Sequence, residues 1–269
     1  MSGPLRIDIA DGVATITIDH PPINLFDLQL YPAMAAAAHQ LAADDTVRVV
    51  VLRSATPGFF IAHFDVTLIQ RLPTGLPAPE VLNDFHAMCE AFRTMPKATI
   101  AVIEGRAGGG GSELALSCDM RFAALGQAVF SQPEVALGIL PGGSGTVRLP
   151  RLVGRSRALE VILGCDDIDA ATAERWGWVN RALPPDELWP FVDRLAARIA
   201  RFPPHAVAAA KAAVLRAEHG VVGDLLLEGA AFNATLGEAS TVAALQAFMD
   251  AGGQTVEVES RLGEAAGNL

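Results

Sequence analysis

The stretch AGGGGSELALSCD, Ala107 to Asp119, runs four glycines into a serine and a glutamate and then turns apolar. Bare backbone beside a carboxylate suits a strand-to-helix turn in which a ligand approaches N–H groups at a helix N-terminus, where the helix dipole favours developing negative charge. It suits equally well a turn whose glycines only let a helix pack close to a strand. Other readings fail on spacing. No lysine follows the run to complete GxxxxGK[ST], its glycines are contiguous rather than spaced GxGxxG, and neither GGSEL nor GGSGT (Gly142 to Thr146) completes GxSxG. An oxyanion hole, in which one donor contributes about 3 to 4 kcal/mol to catalysis, and simple close packing therefore both stand.

Outward from this run the pattern alternates between strand and helix. VATITI (Val13 to Ile18) is β-branched with period two and ends in the proline turn HPPIN. Leu28 to Ala43 has helical spacing, and VRVVVLR (Val47 to Arg53) is a near-continuous apolar run of the kind buried in a parallel sheet. A helix is predicted over Pro79 to Met95, and a buried strand over TIAVIE (Thr99 to Glu104), directly before the glycines. A further helix from Ser112 to Cys118 and strands DMRFAA (Asp119 to Ala124) and AVFSQ (Ala128 to Gln132) follow. From Ser156 helices dominate, with Asp169 as an N-cap, Gly177 as a stop and another helix starting near Pro204. The last stretch, VEVESRLGEAAGNL, reads as irregular.

Composition narrows the function. The 269 residues are half apolar, carry a formal charge of -10 and contain only two lysines, Lys97 and Lys211. This excludes the basic stripe of a nucleic-acid binder. The odd set Cys89, Cys118 and Cys165 forms no CxxC pair and reads as reduced core thiols rather than a metal or disulfide frame. MSGPLRIDIADG lacks the layout of a signal peptide, and no apolar run is long enough to span a bilayer, so a cytoplasmic protein without membrane contact is expected.

The ordered set VRVVVLR, GFFIAHFD, IAVIEG, GGGGSELALSCD and FSQPEVALGILPGGSGTVRLPRLVG, supported by HPPIN and AERWGWVN, resembles the enoyl-CoA hydratase and isomerase (crotonase) family over roughly Gly12 to Arg216. The resemblance implies an α/β fold, a spiral of repeated ββα units with a helical C-terminal region. Residues 1–185 would form the core and 186–269 the helices that close the pocket and assemble a homotrimer or dimer of trimers. It also implies an acyl-CoA substrate and no separate cofactor.

The same resemblance assigns residues. Phe64 and Gly110 match the two backbone donors to the thioester oxygen, and Glu113 and Glu134 match the paired carboxylates of the hydratases. Glu134 would protonate the α-carbon, Glu113 would hold and activate water, and Gly142 would help place that water. Either glutamate could instead serve its local backbone, Glu113 at a helix N-terminus and Glu134 in the turn after Pro133. Relatives usually read SAGAD where this chain has Ile61, Ala62, His63, Phe64 and Asp65. His63 replaces a glycine, either to serve the conformation and packing of the loop or to meet the substrate as a further acid or base, and Asp65 is expected to brace the loop. For the CoA end the matching positions are Ala62, Arg71 and Lys211, with Arg53 and Arg106 nearby, and a solvated helix face is an equal reading of Lys211. The remaining histidines, including His86 on an expected surface helix, carry no ligand spacing. Hydration of a 2-enoyl-CoA leads, with isomerisation or another crotonase reaction and a non-catalytic acyl-CoA binder as alternatives.

Overall fold

In the computed structural model, which describes residues 3–269, the chain opens with an antiparallel hairpin of β1 (Leu5–Ala10) and β2 (Val13–Ile18). Helix α1 (Leu30–Ala43) then leads to β3 (Val49–Ser54) and β4 (Phe59–Ile61), followed by α2 (Val66–Ile69) and α3 (Asp84–Thr94). The next turn comprises β5 (Ala98–Ile103), β6 (Arg106–Gly108) and α4 (Gly109–Ser117), and the third β7 (Met120–Ala124), β8 (Val129–Ser131) and a 3-10 turn at Glu134–Leu137. After α5 (Gly145–Val153) and α6 (Arg155–Gly164) come β9 (Ile168–Asp169), α7 (Ala170–Trp176) and β10 (Arg181–Leu183). Helices complete the chain: α8 (Pro185–Ala200), α9 (Pro204–Leu215), α10 (Val221–Leu236), α11 (Ala239–Asp250), α12 (Val256–Glu259) and α13 (Leu262–Ala266).

Three successive strand pairs, β3 with β4, β5 with β6 and β7 with β8, each give their first strand to one sheet and their second to another. The large sheet runs β1-β2-β3-β5-β7-β10 and is parallel from β2 onward; the small one runs β4-β6-β8-β9. That alternation is the spiral of ββα units. It also explains VRVVVLR. Val50 and Leu52 face the main core with Ile16, Ala101 and Ile103, while Val49 and Val51 face Ile100, Val102 and the α8 residues Leu188, Val192 and Ala196. A strand covered on both faces has no reason to alternate.

Several boundaries differ from the sequence reading. The helix predicted from Pro79 begins only at Asp84, because Asn83 accepts a hydrogen bond from the His86 N–H (2.8 Å) as its N-cap and the prolines before it hold the chain irregular. Helix α4 starts inside the glycine run, three residues earlier than expected. Its whole length is buried, and burial overrides the poor helix propensity of glycine. The terminal stretch is not irregular: Thr255 caps α12, and Glu259, Leu262 and Ala266 are buried. Helix α8 packs on the sheet itself and is therefore part of the core it follows. Among the described residues no helix is long and apolar enough to cross a membrane.

The close-packing role of the glycines is plain at Gly111, where an added Cβ would stand 2.3 Å from the Ile61 carbonyl oxygen and 2.7 Å from its Cβ. Backbone cannot yield there as a side-chain tip could. Gly111→Ala is expected to lower the unfolding free energy by about 1–3 kcal/mol, measured by urea denaturation.

Candidate active site

The segment after β2 sets the geometry of the first loop. Buried Asn24 donates to Ser54 Oγ and to the Phe60 carbonyl (both 2.8 Å) and accepts from Thr56 Oγ1 (2.7 Å) and the His20 N–H (2.9 Å). This fixes HPPIN against β4. The chain then runs parallel to the loop: Ala62 N–H donates to Ile23 (3.1 Å), Phe26 N–H to His63 (3.0 Å) and Asp65 N–H to Phe26 (3.0 Å). Alternate peptides in such a ladder face opposite ways. The Phe64 N–H is thus turned from its neighbour toward Gly110, where an added Cβ would lie 3.6 Å from the Phe64 nitrogen. Gly110 is the second residue of α4, so its own N–H has no acceptor within the helix. Two uncommitted backbone donors meet there, at the wall of one cavity.

That cavity, of about 910 Å³, is lined by His63, Phe64, Gly110, Glu113, Glu134 and Gly142, among others. The Phe64 ring joins an aromatic group on its wall, 6.2 Å from Tyr31 and 5.9 Å from Phe85 between centroids. Phe85 also leans over Gly110 and Gly143, and Phe232 of α10 occupies the space a side chain at Gly142 would need. A smaller cavity of about 220 Å³, bordered by Lys97 and His205, contains neither glutamate.

Both glutamates are buried, and each has a distinct setting. Glu113, on α4, accepts at Oε1 from the N–H groups of Gly143 and Gly145 (2.8 Å each), which leaves Oε2 to meet a ligand. Glu134 opens the 3-10 turn, and Gln132, with its amide oriented to satisfy both ends, donates to its two oxygens at 3.1 Å. Burial first, and the charge of Glu228 second, push the Glu113 carboxyl up to about 8. Burial and then Glu113 itself push Glu134 well above the carboxylate range. Two like charges cannot both persist in this setting, so the pair shares a proton.

Residues to which the sequence reading gave no role complete the arrangement. Glu228 of α10 accepts from Ser144 N–H (2.7 Å), Thr146 N–H (2.9 Å) and the Thr146 hydroxyl. His86, expected on a surface helix, is buried with Nε2 3.1 Å from Glu228 Oε1. Nothing local marks that pair except an acid within the apolar run DLLLEGAAF. His63 is not in the left-handed region, so its replacement of glycine needs no conformational tolerance. Asp65 braces the loop as expected, accepting from the Thr67 N–H at 2.8 Å.

The positions matched to CoA do not converge on this cavity. Lys211 is mostly buried and ion-paired with Asp119 at 2.9 Å. Ala62 is fully buried, with its N–H spent on Ile23, and Arg71 is exposed outside the lining. Arg106 pairs with Asp167 at 2.6 Å, and Arg53 lies over Trp189. Among the described residues no lysine or arginine lines the cavity.

Comparison with known proteins bears on this geometry. A family model described as enoyl-CoA hydratase/isomerase matches residues 8–254. The crotonyl-CoA hydratase of Syntrophomonas wolfei is 40% identical over 156 residues, 58% of this chain and 59% of that protein. The glyoxysomal fatty acid beta-oxidation multifunctional protein of Cucumis sativus is 38% identical over 180 residues, 66% of this chain, and the match spans only 25% of that longer protein. A crystal structure from Streptomyces avermitilis that bears an enoyl-CoA hydratase name superposes with a TM-score of 0.90 at 38% identity, covering 100% of this chain and 98% of the other. Since the family match takes in both loops, both glutamates and the helix that carries Glu228, the chain belongs to the enoyl-CoA hydratase/isomerase family.

Proposed function

We propose that the protein adds water across the double bond of a 2-enoyl-CoA thioester. The observation that carries this reading is the placement of two buried carboxyls, Glu113 and Glu134, in one cavity with the free N–H groups of Phe64 and Gly110. A thioester oxygen set between those two donors acquires negative charge as an enolate forms, and preorganised donors stabilise that charge without reorganising. Glu113, ionised, takes a proton from a water as its oxygen bonds to the β-carbon. Electrons of the double bond move to the carbonyl oxygen, and Glu134 then delivers its proton to the α-carbon as the carbonyl re-forms. Gly142 borders the space where the water would stand. The sum is one water added, with the proton gained by Glu113 returned to Glu134 through solvent before the next turnover.

The division of labour follows from the settings of the two groups. Glu113 receives two backbone N–H groups, which favour its ionised form, whereas burial and the adjoining Glu113 carboxyl favour the protonated form of Glu134. Double-bond isomerisation would use one carboxyl to carry a proton between carbons and leave Glu113 with little to do. An acyl group next to Phe64 would meet the Tyr31 and Phe85 rings, consistent with an apolar chain.

Turnover of a panel of 2-enoyl-CoA and 3-enoyl-CoA thioesters tests the reading. Hydration of the 2-enoyl substrates should fall by roughly 10²-fold or more in both Glu113→Gln and Glu134→Gln; double-bond shift of 3-enoyl substrates that survives Glu113→Gln would favour isomerisation instead. The kcat/KM profile supplies a second test. Because Glu113 must be ionised and its carboxyl is raised, activity should rise with pH along a limb well above the ordinary carboxylate range. Removing the neighbouring charge in Glu228→Gln should move that limb to lower pH.

A further inference from the structure

The family match ends at Gln254, yet the residues beyond it reach back to the first loop. His63 Nδ1 lies 2.8 Å from the Phe64 carbonyl oxygen, and its Nε2 lies 3.0 Å from Glu259 Oε1. A carbonyl can only accept, so Nδ1 carries a proton, while the Glu259 carboxylate, 3.0 Å from Nε2 but out of line for a hydrogen bond, acts on the ring as a neighbouring charge. The two side chains are 7% and 0% exposed, so removing either partner would leave the other buried and uncompensated. Glu259 raises the His63 ring above its ordinary value against the effect of burial, and His63 in turn holds Glu259 below the usual carboxylate range.

A second grip lies beside the first. Gln254 accepts from the Val66 N–H at 2.6 Å and donates to Asp65 Oδ1 at 3.0 Å, while its own N–H donates to Glu259 Oε1 at 2.7 Å. To do so it adopts φ +66, a left-handed backbone that side chains rarely take unless their surroundings demand it. The Phe248 ring closes the cluster, 6.0 Å from the His63 ring. The tail has its own anchor elsewhere, since Arg106 donates to the Ser260 carbonyl at 3.0 Å and Leu262 is buried.

We propose that Glu259 and Gln254 are positioning residues for the first oxyanion loop: through His63 they hold the Phe64 peptide by its carbonyl, and through Asp65 and Val66 they hold the loop that follows, so that the Phe64 N–H points at the substrate. The Phe64 carbonyl shares a peptide plane with the Asp65 N–H, which donates to Phe26, so the strut and that hydrogen bond hold this peptide from both edges; the Phe64 N–H lies on the preceding peptide, and fixing the one that follows restrains it by narrowing the φ and ψ open to Phe64. His63 is on this account the near end of a strut and exchanges no proton with the substrate. The proposal rests on Phe64 being a carbonyl donor.

The test reads the carbonyl itself. Isotope-edited infrared spectra of ¹³C-carbonyl butyryl-CoA, a saturated thioester that cannot be hydrated, would be recorded bound to the protein, to Gln254→Ala and to the double variant His63→Phe/Glu259→Leu. The double variant replaces the buried ion pair by apolar groups and so preserves a filled core. Wild type should lower the carbonyl stretch relative to free butyryl-CoA. Both variants should return it part of the way, with kcat on a short 2-enoyl-CoA reduced about 10- to 100-fold and KM within about threefold. If wild type shows the shift and Gln254→Ala retains all of it together with kcat, the strut is overturned. If wild type shows no shift, the carbonyl-donor reading of Phe64 fails and the proposal falls with it. Gln254 is only partly buried, so its variant decides the matter should the double variant not fold.

Discussion

A peptide in the first loop faces the cavity because its neighbours on either side are tied to another strand, and the rest of the site is arranged around that constraint. The hydrogen bonds from Ala62, from Phe26 to His63 and from Asp65 to Phe26 consume the peptides next to Phe64 and leave its N–H facing the other way. Asn24 holds the partnering segment by four polar contacts, which is why a proline turn far from the chemistry matters to it. On the opposite side the glycines of α4 bring a helix N-terminus within contact distance of the same loop. Two chain segments could not approach so closely with side chains between them.

The carboxylates solve a related problem. The turn from Gly143 to Thr146 offers four successive N–H groups, and they alternate: Gly143 and Gly145 serve Glu113, Ser144 and Thr146 serve Glu228. Helices α4 and α10, distant in the chain, are thereby stitched to one turn. Ser144 accepts a left-handed φ of 108° in this turn, with Arg148 donating to its hydroxyl at 2.9 Å. The negative charges brought together in this way raise the proton affinity of Glu113 and Glu134 beyond what burial alone would do.

Much of the fold was legible because its signals are local. Strands buried on both faces wrote continuous apolar runs, and the Asp169 cap and Gly177 stop of α7 are visible as single residues. The start of α4 was misplaced because propensity speaks against glycine and only tertiary burial speaks for it. The two glutamates came through resemblance to a family; their local sequence allowed a capping role just as well. What stayed hidden are pairs without neighbours in sequence. Glu259 sits in a stretch that read as irregular, since its reason for burial, His63, is nearly two hundred residues away. His86 and Glu228 are separated by 142 residues and share no motif. Lys211 read equally as a CoA contact and as a solvated cation, whereas Asp119, just beyond the glycine helix, draws it inside.

The separation between Gln254 and the loop it grips has a bearing on how the molecule comes into being. Those contacts span 188 and 189 residues, whereas the sheet pairings of β2 with β3 and β3 with β5 join strands only a few dozen residues apart. Closing a loop of that length is entropically costly and slow, so the two sheets can condense well before the first loop is braced. A growing chain that has emerged only as far as α10 would hold the full set of strands and both glutamates while its first loop still lacks the residues that steady it. Maturation of the site is on this account the closing event of folding.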